Sequence, residues 1–336
     1  MLALISAPSN LGLRPPQPGA VPGTAKAPEA LREAGLYTRL AADGAADAGV
    51  VLPGRYLAGP PPSQAQGQDQ GQVQGQGQVQ DQGQVGGQVR NQDAILEHAA
   101  RLAARIRAQL DADRAPLVLG GDCSLLLAAG WALRPRGRYG LVHLDGHTDF
   151  RHPGNSADCA SLAGEDLAAA VGLHWPAISG AGGRTPHFRP EDTVHAGCRD
   201  DDEGLSEAST VLAQVIPARR IRQDGAAATA EAVLATVAAS QLDGYWLHID
   251  VDILDPACMP AVDSPAPGGL APAELTGLLA GLAPGASGAQ VTVFDPDLDP
   301  GGQHAALLAS ILATGLRQLG AGTRTSPSGQ ARWEEQ

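Results

Sequence analysis

Two apolar rhythms alternate along the chain. Short, nearly unbroken apolar runs read as strands covered on both faces: "LALISAP", "GVVLPG", "APLVLGG", "RYGLVHLDG", "DTVHAGCRD", "GYWLHID" and "AQVTVFDP". Between and after them, segments such as "DAILEHAARLAARIRAQLDA", "TAEAVLATVAASQL" and "QHAALLASILATGLRQL" place apolar residues at helical spacing among good helix formers. "APEALREAGL", with Gly35 near its end, and "LLLAAGWAL", "EDLAAAVGL" and "APAELTGLLAGL" complete the helical set. Strand–helix alternation of this kind predicts an α/β protein built on a doubly wound parallel sheet. Residues 1–321 read as one domain, interrupted at about 60–92 by a Gln/Gly-rich tract. That tract has too little apolar surface to order itself and is expected as a disordered surface insertion. Residues 322–336 read as a flexible tail.

Charge and cysteine usage narrow the function classes. The formal net charge of −13, with only 23 Lys+Arg, argues against nucleic acid and against an acidic membrane surface. The N-terminus lacks a basic segment followed by a long apolar one, so no signal peptide is expected, and no apolar run is long enough to span a bilayer. Four widely spaced cysteines in a chain this long do not form a disulfide framework, which points to a reducing cytoplasm.

The polar chemistry gathers where strands end. In a parallel sheet, ligands bind outside the carboxyl ends of the strands. Four runs leave the core through polar, mostly acidic motifs: "LVLGGDCS", "LVHLDGHTDF", "LHIDVDILDP" and "VTVFDPDLDP". Asp145, His147 and Asp149 fall at alternate positions, as do Asp250 and Asp252, so each set can face one point. Carboxylates with an imidazole suit Mn, Fe, Co, Ni or Zn. A single D-x-D is most often a solvated turn; several such motifs on the exits of one sheet favour a metal site. The ligands exceed what one ion needs, so two ions sharing carboxylates fit better. Cys123, in "GGDCS", has three readings: a buried small hydrophobe, a nucleophile or a thiolate ligand. Its position among ligand-bearing exits favours the last.

These motifs, in this order, resemble the ureohydrolase family of arginase, agmatinase and formimidoylglutamase. "GGDCS" is similar to the family's G-G-D-H-S, "DGHTD" to D-A-H-x-D, "AGCRDDD" to G-x-R-D-x-D and "DVDILDP" to D-x-D-x-x-D-P. The resemblance covers most of the chain and implies a three-layer α/β/α fold with eight mainly parallel strands. It implies two divalent ions, manganese first, with zinc, iron, cobalt or nickel open because of Cys123. Cys123, Asp145, Asp149 and Asp250 would hold one ion; Asp145, His147, Asp250 and Asp252 would hold the other. A metal-bridging hydroxide, oriented by Asp149, would attack the carbon of a linear amidine or guanidine. Asp202 and Arg151 would meet the rest of an amino-acid-like substrate. A homo-oligomer, trimer or hexamer, is implied as well.

The chain departs from the family at four places. Cys123 stands where the family has a histidine. Ala163, or a neighbour, replaces the histidine thought to shuttle protons, with His152 as a candidate substitute. Val293 stands where guanidinium-binding members have a glutamate, and Asp295 lies two residues, about 6–7 Å, too far along to replace it. Arg151 stands near an asparagine of arginases. These departures keep a second reading in play, a non-catalytic ureohydrolase-like protein that binds metal or a metabolite. A metal-dependent phosphatase is a third, without the glycine-rich phosphate loop that would support it.

Overall fold

The computed structural model describes residues 1–59, 87–183 and 185–323. The expected insertion, over residues 60–86, and the expected tail, over 324–336, lie outside the described residues. Of the positions assigned to these two segments, Val89 is buried, Arg90 donates its backbone N–H to Ala160, and Gly322 donates to Pro284.

Eight strands form one sheet: β1 (Leu2–Ala7), β2 (Ala46–Val50), β3 (Ala115–Gly120), β4 (Tyr139–Leu144), β5 (Thr193–Ala196), β6 (Gln214–Ile216), β7 (Gly244–Asp250) and β8 (Ala286–Thr292). Their order is β2-β1-β3-β8-β7-β4-β5-β6, and every pairing is parallel. Alternation within each strand divides the core. Leu4, Leu117, Leu119, Val142, Leu247 and Ile249 face a layer that includes the helices Ala27–Glu33, Pro272–Leu282 and Gln303–Gly315. Ile5, Val118, Leu141 and Trp246 face the other layer, led by the helices Gln92–Asp111 and Leu126–Leu133. This is the expected three-layer α/β/α architecture, with a sheet that is parallel throughout.

The differences from the expected elements have local causes. "GVVLPG" was expected as the second strand, but the strand lies earlier and the apolar run only trails off it: β2 is an edge strand, and Val50 and Leu52 are exposed. β6 has three residues, too short for a period to register. The first helical segment breaks at Gly35, whose φ of +84° turns the chain into a second helix, Leu36–Ala42.

The strand order positions the chemistry. The two last strands, β7 and β8, thread between β3 and β4, so the four exits flagged by the sequence are neighbours at the carboxyl edge of the sheet. Among the described residues, no helix is long and apolar enough to cross a membrane.

Candidate metal centre

Each exit is built to turn a ligand inward. After β3, Gly121 passes so close to the β1 exit that a Cβ would lie 1.6 Å from the Ser9 carbonyl oxygen, so only glycine fits. Asp122 then accepts hydrogen bonds from Ser124 N (3.0 Å) and Ser9 Oγ (2.6 Å), which closes the turn and leaves Cys123 fully buried over the sheet. The Cys123 thiol donates to Asp250 Oδ2 at 2.8 Å, and its Sγ is 3.2 Å from Thr292 Oγ1.

After β4, Asp145 Oδ1 accepts His147 N (2.7 Å). Gly146 again needs to be glycine, since a Cβ would meet the Asp252 carbonyl oxygen at 2.5 Å; its N–H donates to Asp252 Oδ1 (2.9 Å). His147 Nδ1 pairs with Asp252 Oδ2 at 2.8 Å. Asp250, at the end of β7, accepts Asp252 N (2.7 Å). Arg199, in the loop after β5, is a buried clamp that donates to the carbonyls of Gly197, Asp252 and Ala266 and so fixes the β7 exit.

Among the described residues four clusters bring potential donor atoms within 4.8 Å of one another, and two of them are built from these strand exits. Cys123, Asp145, Asp250 and His248 bring donor atoms within 4.8 Å of one another, and so do Asp145, His147 and Asp252. Asp145 is common to both. Asp149, with φ +46°, is not in either group; its carboxyl lies against that of Asp166. His248 and Asp166 were not singled out from the sequence. His248 was readable as a lone polar residue inside "YWLHID", and Asp166 is the first residue of the short helix Asp166–Ala170.

The electrostatics call for cations. Asp145, Asp149, Asp166 and Asp250 are all pushed well above the usual carboxylate range, chiefly by burial and then by neighbouring carboxylates, although for Asp166 the hydrogen bond with Asp149 opposes the rise. Burial and the same carboxylates push the Cys123 thiol up. His147 rises to about 9, held by its hydrogen bond to Asp252 against opposing burial. Burial raises Asp252 too, but the bond and charge of His147 and the Gly146 N–H outweigh it, so this carboxylate lies below its usual range. Asp145 Oδ2 and both Asp166 oxygens are buried with no hydrogen-bond partner. Ionising these buried acids around one imidazolium is costly without further cations. A thiolate, an imidazole and shared carboxylates fit a pair of divalent ions.

The ligand groups open into a cavity of about 560 Å³, lined by His147, Asp149, Arg151, Ala163, Asp202 and Val293, among others. Asp202 holds the β4 exit by accepting Thr148 N (3.0 Å), Gly204 N (2.9 Å) and the Thr148 hydroxyl. Arg151 pairs with Glu203 at 2.6 Å. Val293 has φ +71°, a backbone region a β-branched residue rarely enters, and its N–H bonds Gly121 O at 2.7 Å. Asp295 does not line the cavity; it accepts from Gly23 N and Asp297 N. His152 does not line it either: both ring nitrogens are engaged, by Glu207 (3.0 Å) and Gly154 N (3.1 Å).

The model of the Arginase family matches residues 2–316. The chain belongs to the arginase family. Among curated relatives, Bacillus caldovelox arginase is 32% identical over 185 residues, 54% of this chain and 61% of that protein. The N(omega)-hydroxy-L-arginine amidinohydrolase of Streptomyces lavendulae is 35% identical over 165 residues, 48% of this chain and 54% of that protein. The matches thus span about 60% or less of these relatives' lengths. Among solved structures, B. caldovelox arginase superposes with a TM-score of 0.76 at 26% identity, covering 94% of this chain and 97% of that one. The proclavaminate amidino hydrolase of Streptomyces clavuligerus shares the fold, with a TM-score of 0.65 at 22% identity over 96% of this chain and 92% of that one.

Proposed function

We propose that this arginase-family chain is a binuclear metal-dependent hydrolase of the C–N bond of a linear amidine or guanidine. The observation that carries the proposal is the pair of ligand groups sharing Asp145, on adjacent strand exits at the floor of one cavity. Cys123, Asp145 and Asp250 would hold one ion, with Asp149 within reach of the same cavity; Asp145, His147, Asp250 and Asp252 would hold the other. Two such ions lower the pKa of water and polarise the bond under attack. The protein's own part is to orient and to neutralise. Asp149 lines the cavity, and in this reading it would hold the attacking water by accepting its hydrogen bond. Asp202 and the Arg151–Glu203 pair give the wall both signs of charge, which suits a substrate with an ammonium and a carboxylate. The amine then leaves, and the carbon departs with the oxygen of the water, as urea from a guanidine or as formamide from a formimino group.

The relatives named for arginine, N-hydroxyarginine and formimidoylglutamate set the range of substrates to try. Urea, ammonia and formamide release from guanidino and formimino amino acids, with Mn, Co or Zn loaded separately, tests the proposal. Saturable release from one of them supports it. Full metal loading with no turnover on any would favour the second reading, a metal- or metabolite-binding protein, for which Val293 and Ala163 are the supporting observations. A cytoplasmic trimer or hexamer is the assembly proposed, with light scattering as its test.

A further inference from the structure

Three of the strands carry a histidine at the same height, facing the same side of the sheet. His195 of β5 is in register with His143 of β4, His143 with His248 of β7, and His248 with Gln290 of β8. All four are buried. They form a polar row through an otherwise apolar layer, directly beneath the ligand groups. The His143 and His248 rings stack, 4.4 Å apart and 2° from parallel. Their Nε2 atoms have no hydrogen-bond partner, and neither do Asp145 Oδ2 and both Asp166 oxygens. His248 Nε2 lies 4.0 Å from Asp145 Oδ2 and 3.9 Å from Asp166 Oδ2.

By composition and distance, His248 is a candidate metal ligand beside Cys123, Asp145 and Asp250. Its hydrogen bonds say otherwise. Trp246 Nε1, which can only donate, gives its hydrogen bond to Gln290 Oε1 at 3.0 Å. That fixes the amide so that Gln290 Nε2 faces His248 Nδ1 at 2.9 Å. Nδ1 must therefore accept, and the single proton of the neutral imidazole sits on Nε2. Moving the proton to Nδ1 would set two donors face to face, and turning the Gln290 amide would only transfer that conflict to Trp246. Either arrangement leaves a buried donor unsatisfied.

We infer that His248 is a positioning residue of the metal centre: a tautomer-locked N–H donor to the carboxylates of Asp145 and Asp166, and not a ligand. A shift of about 1 Å in either carboxylate brings it to hydrogen-bond distance. Brought to that distance, the donor would orient the carboxylate common to both ligand groups, as outer partners do around metal sites, beside the His143 Nε2 that stands 3.8 Å from the same Asp145 oxygen. The inference rests on the proposed metal centre for its consequence, but the tautomer is legible without any ion.

The test is long-range ¹H–¹⁵N correlation of the histidine rings, in metal-free protein and again after loading with ¹¹³Cd. The expected result is a protonated His248 Nε2 and an unprotonated Nδ1 in both, with no ¹¹³Cd coupling to Nε2. An unprotonated Nε2, or a cadmium coupling there, overturns the inference. Chelator competition on two variants adds a readout of role. His248→Gln keeps an N–H near the Nε2 position and is expected to hold metal within about threefold of the parent. His248→Leu is expected to weaken binding by about 10–100-fold. Equal losses in both variants, or no loss in either, overturn the positioning role. If His248→Leu does not fold, the ring spectra of the unmodified protein decide. A protein that binds no cadmium at all defeats the metal-centre reading, while the metal-free tautomer still tests the lock.

Discussion

Loading the metal-free protein with divalent ions should expel protons, and the structure sets a floor on how many. Ligation requires a neutral imidazole and a thiolate. His147 is held at about 9 by Asp252. At pH 8 it is then about nine-tenths protonated, whereas an ordinary histidine is about 3% protonated. The Cys123 thiol is pushed up by burial and by Asp250, so it too carries its proton at pH 8. Binding at these two residues alone releases about two protons per chain, and the raised carboxyls of Asp145, Asp149 and Asp250 can only add to that. The sign follows directly: metal affinity rises with pH, the His147 share of the rise ending near 9 and the thiol's share continuing above it, and it weakens as the pH falls. Titration calorimetry at pH 8 in buffers of different ionisation enthalpy counts the protons. Cys123→Ser should lower the count by about one. A release below about one proton in the parent protein would refute both the His147–Asp252 pairing and the thiolate assignment.

Other expectations follow from the same contacts. Cys123→Ala should lose about one ion and keep the fold, Cys123→His should retain both ions with preference moved toward manganese, and cobalt-loaded parent protein should show a sulfur-to-metal charge-transfer band in the near ultraviolet that both variants lack; metal content and absorption spectra check all three. Metal-free protein should lose thermal stability as pH rises from mildly acidic values. Asp145, Asp149, Asp166 and Asp250 have pKa values raised by folding, so their protonated forms stabilise the fold at low pH and that contribution is lost on ionisation; melting curves with and without metal test this. Gly121→Ala should destabilise severely, because its Cβ would lie 1.6 Å from backbone at Ser9, and denaturant unfolding measures the loss.

The fold was readable because a parallel sheet covered on both faces writes its strands as unbroken apolar runs. The two strands that escaped this or shifted are β6, with three residues, and the edge strand β2, where burial no longer governs the pattern. The site was readable for a related reason: acids and a thiol at strand exits have few structural uses, and Cys123, Asp145, His147, Asp250 and Asp252 do converge. His248 escaped because it is a single polar residue in an apolar strand, and Asp166 because an acid beside Glu165 at the start of a helix reads as an ordinary helix-start residue; only strand register reveals that His195, His143, His248 and Gln290 make one row. The contact of Asp149 with Asp166 was equally hidden, since it depends on how the segment between β4 and the helix Asp166–Ala170 returns that helix to the β4 exit. Arg199, part of "GCRD", carried no sign in the sequence that its guanidinium would be used on backbone carbonyls.

The most direct measurement is the metal content of protein loaded with manganese, cobalt or zinc and freed of excess ion, taken together with the Asp145→Asn variant. The account predicts close to two ions per chain, and the loss of both when the carboxylate common to the two ligand groups is neutralised. Saturation at one ion or none, or an Asp145→Asn variant that keeps two, would contradict it.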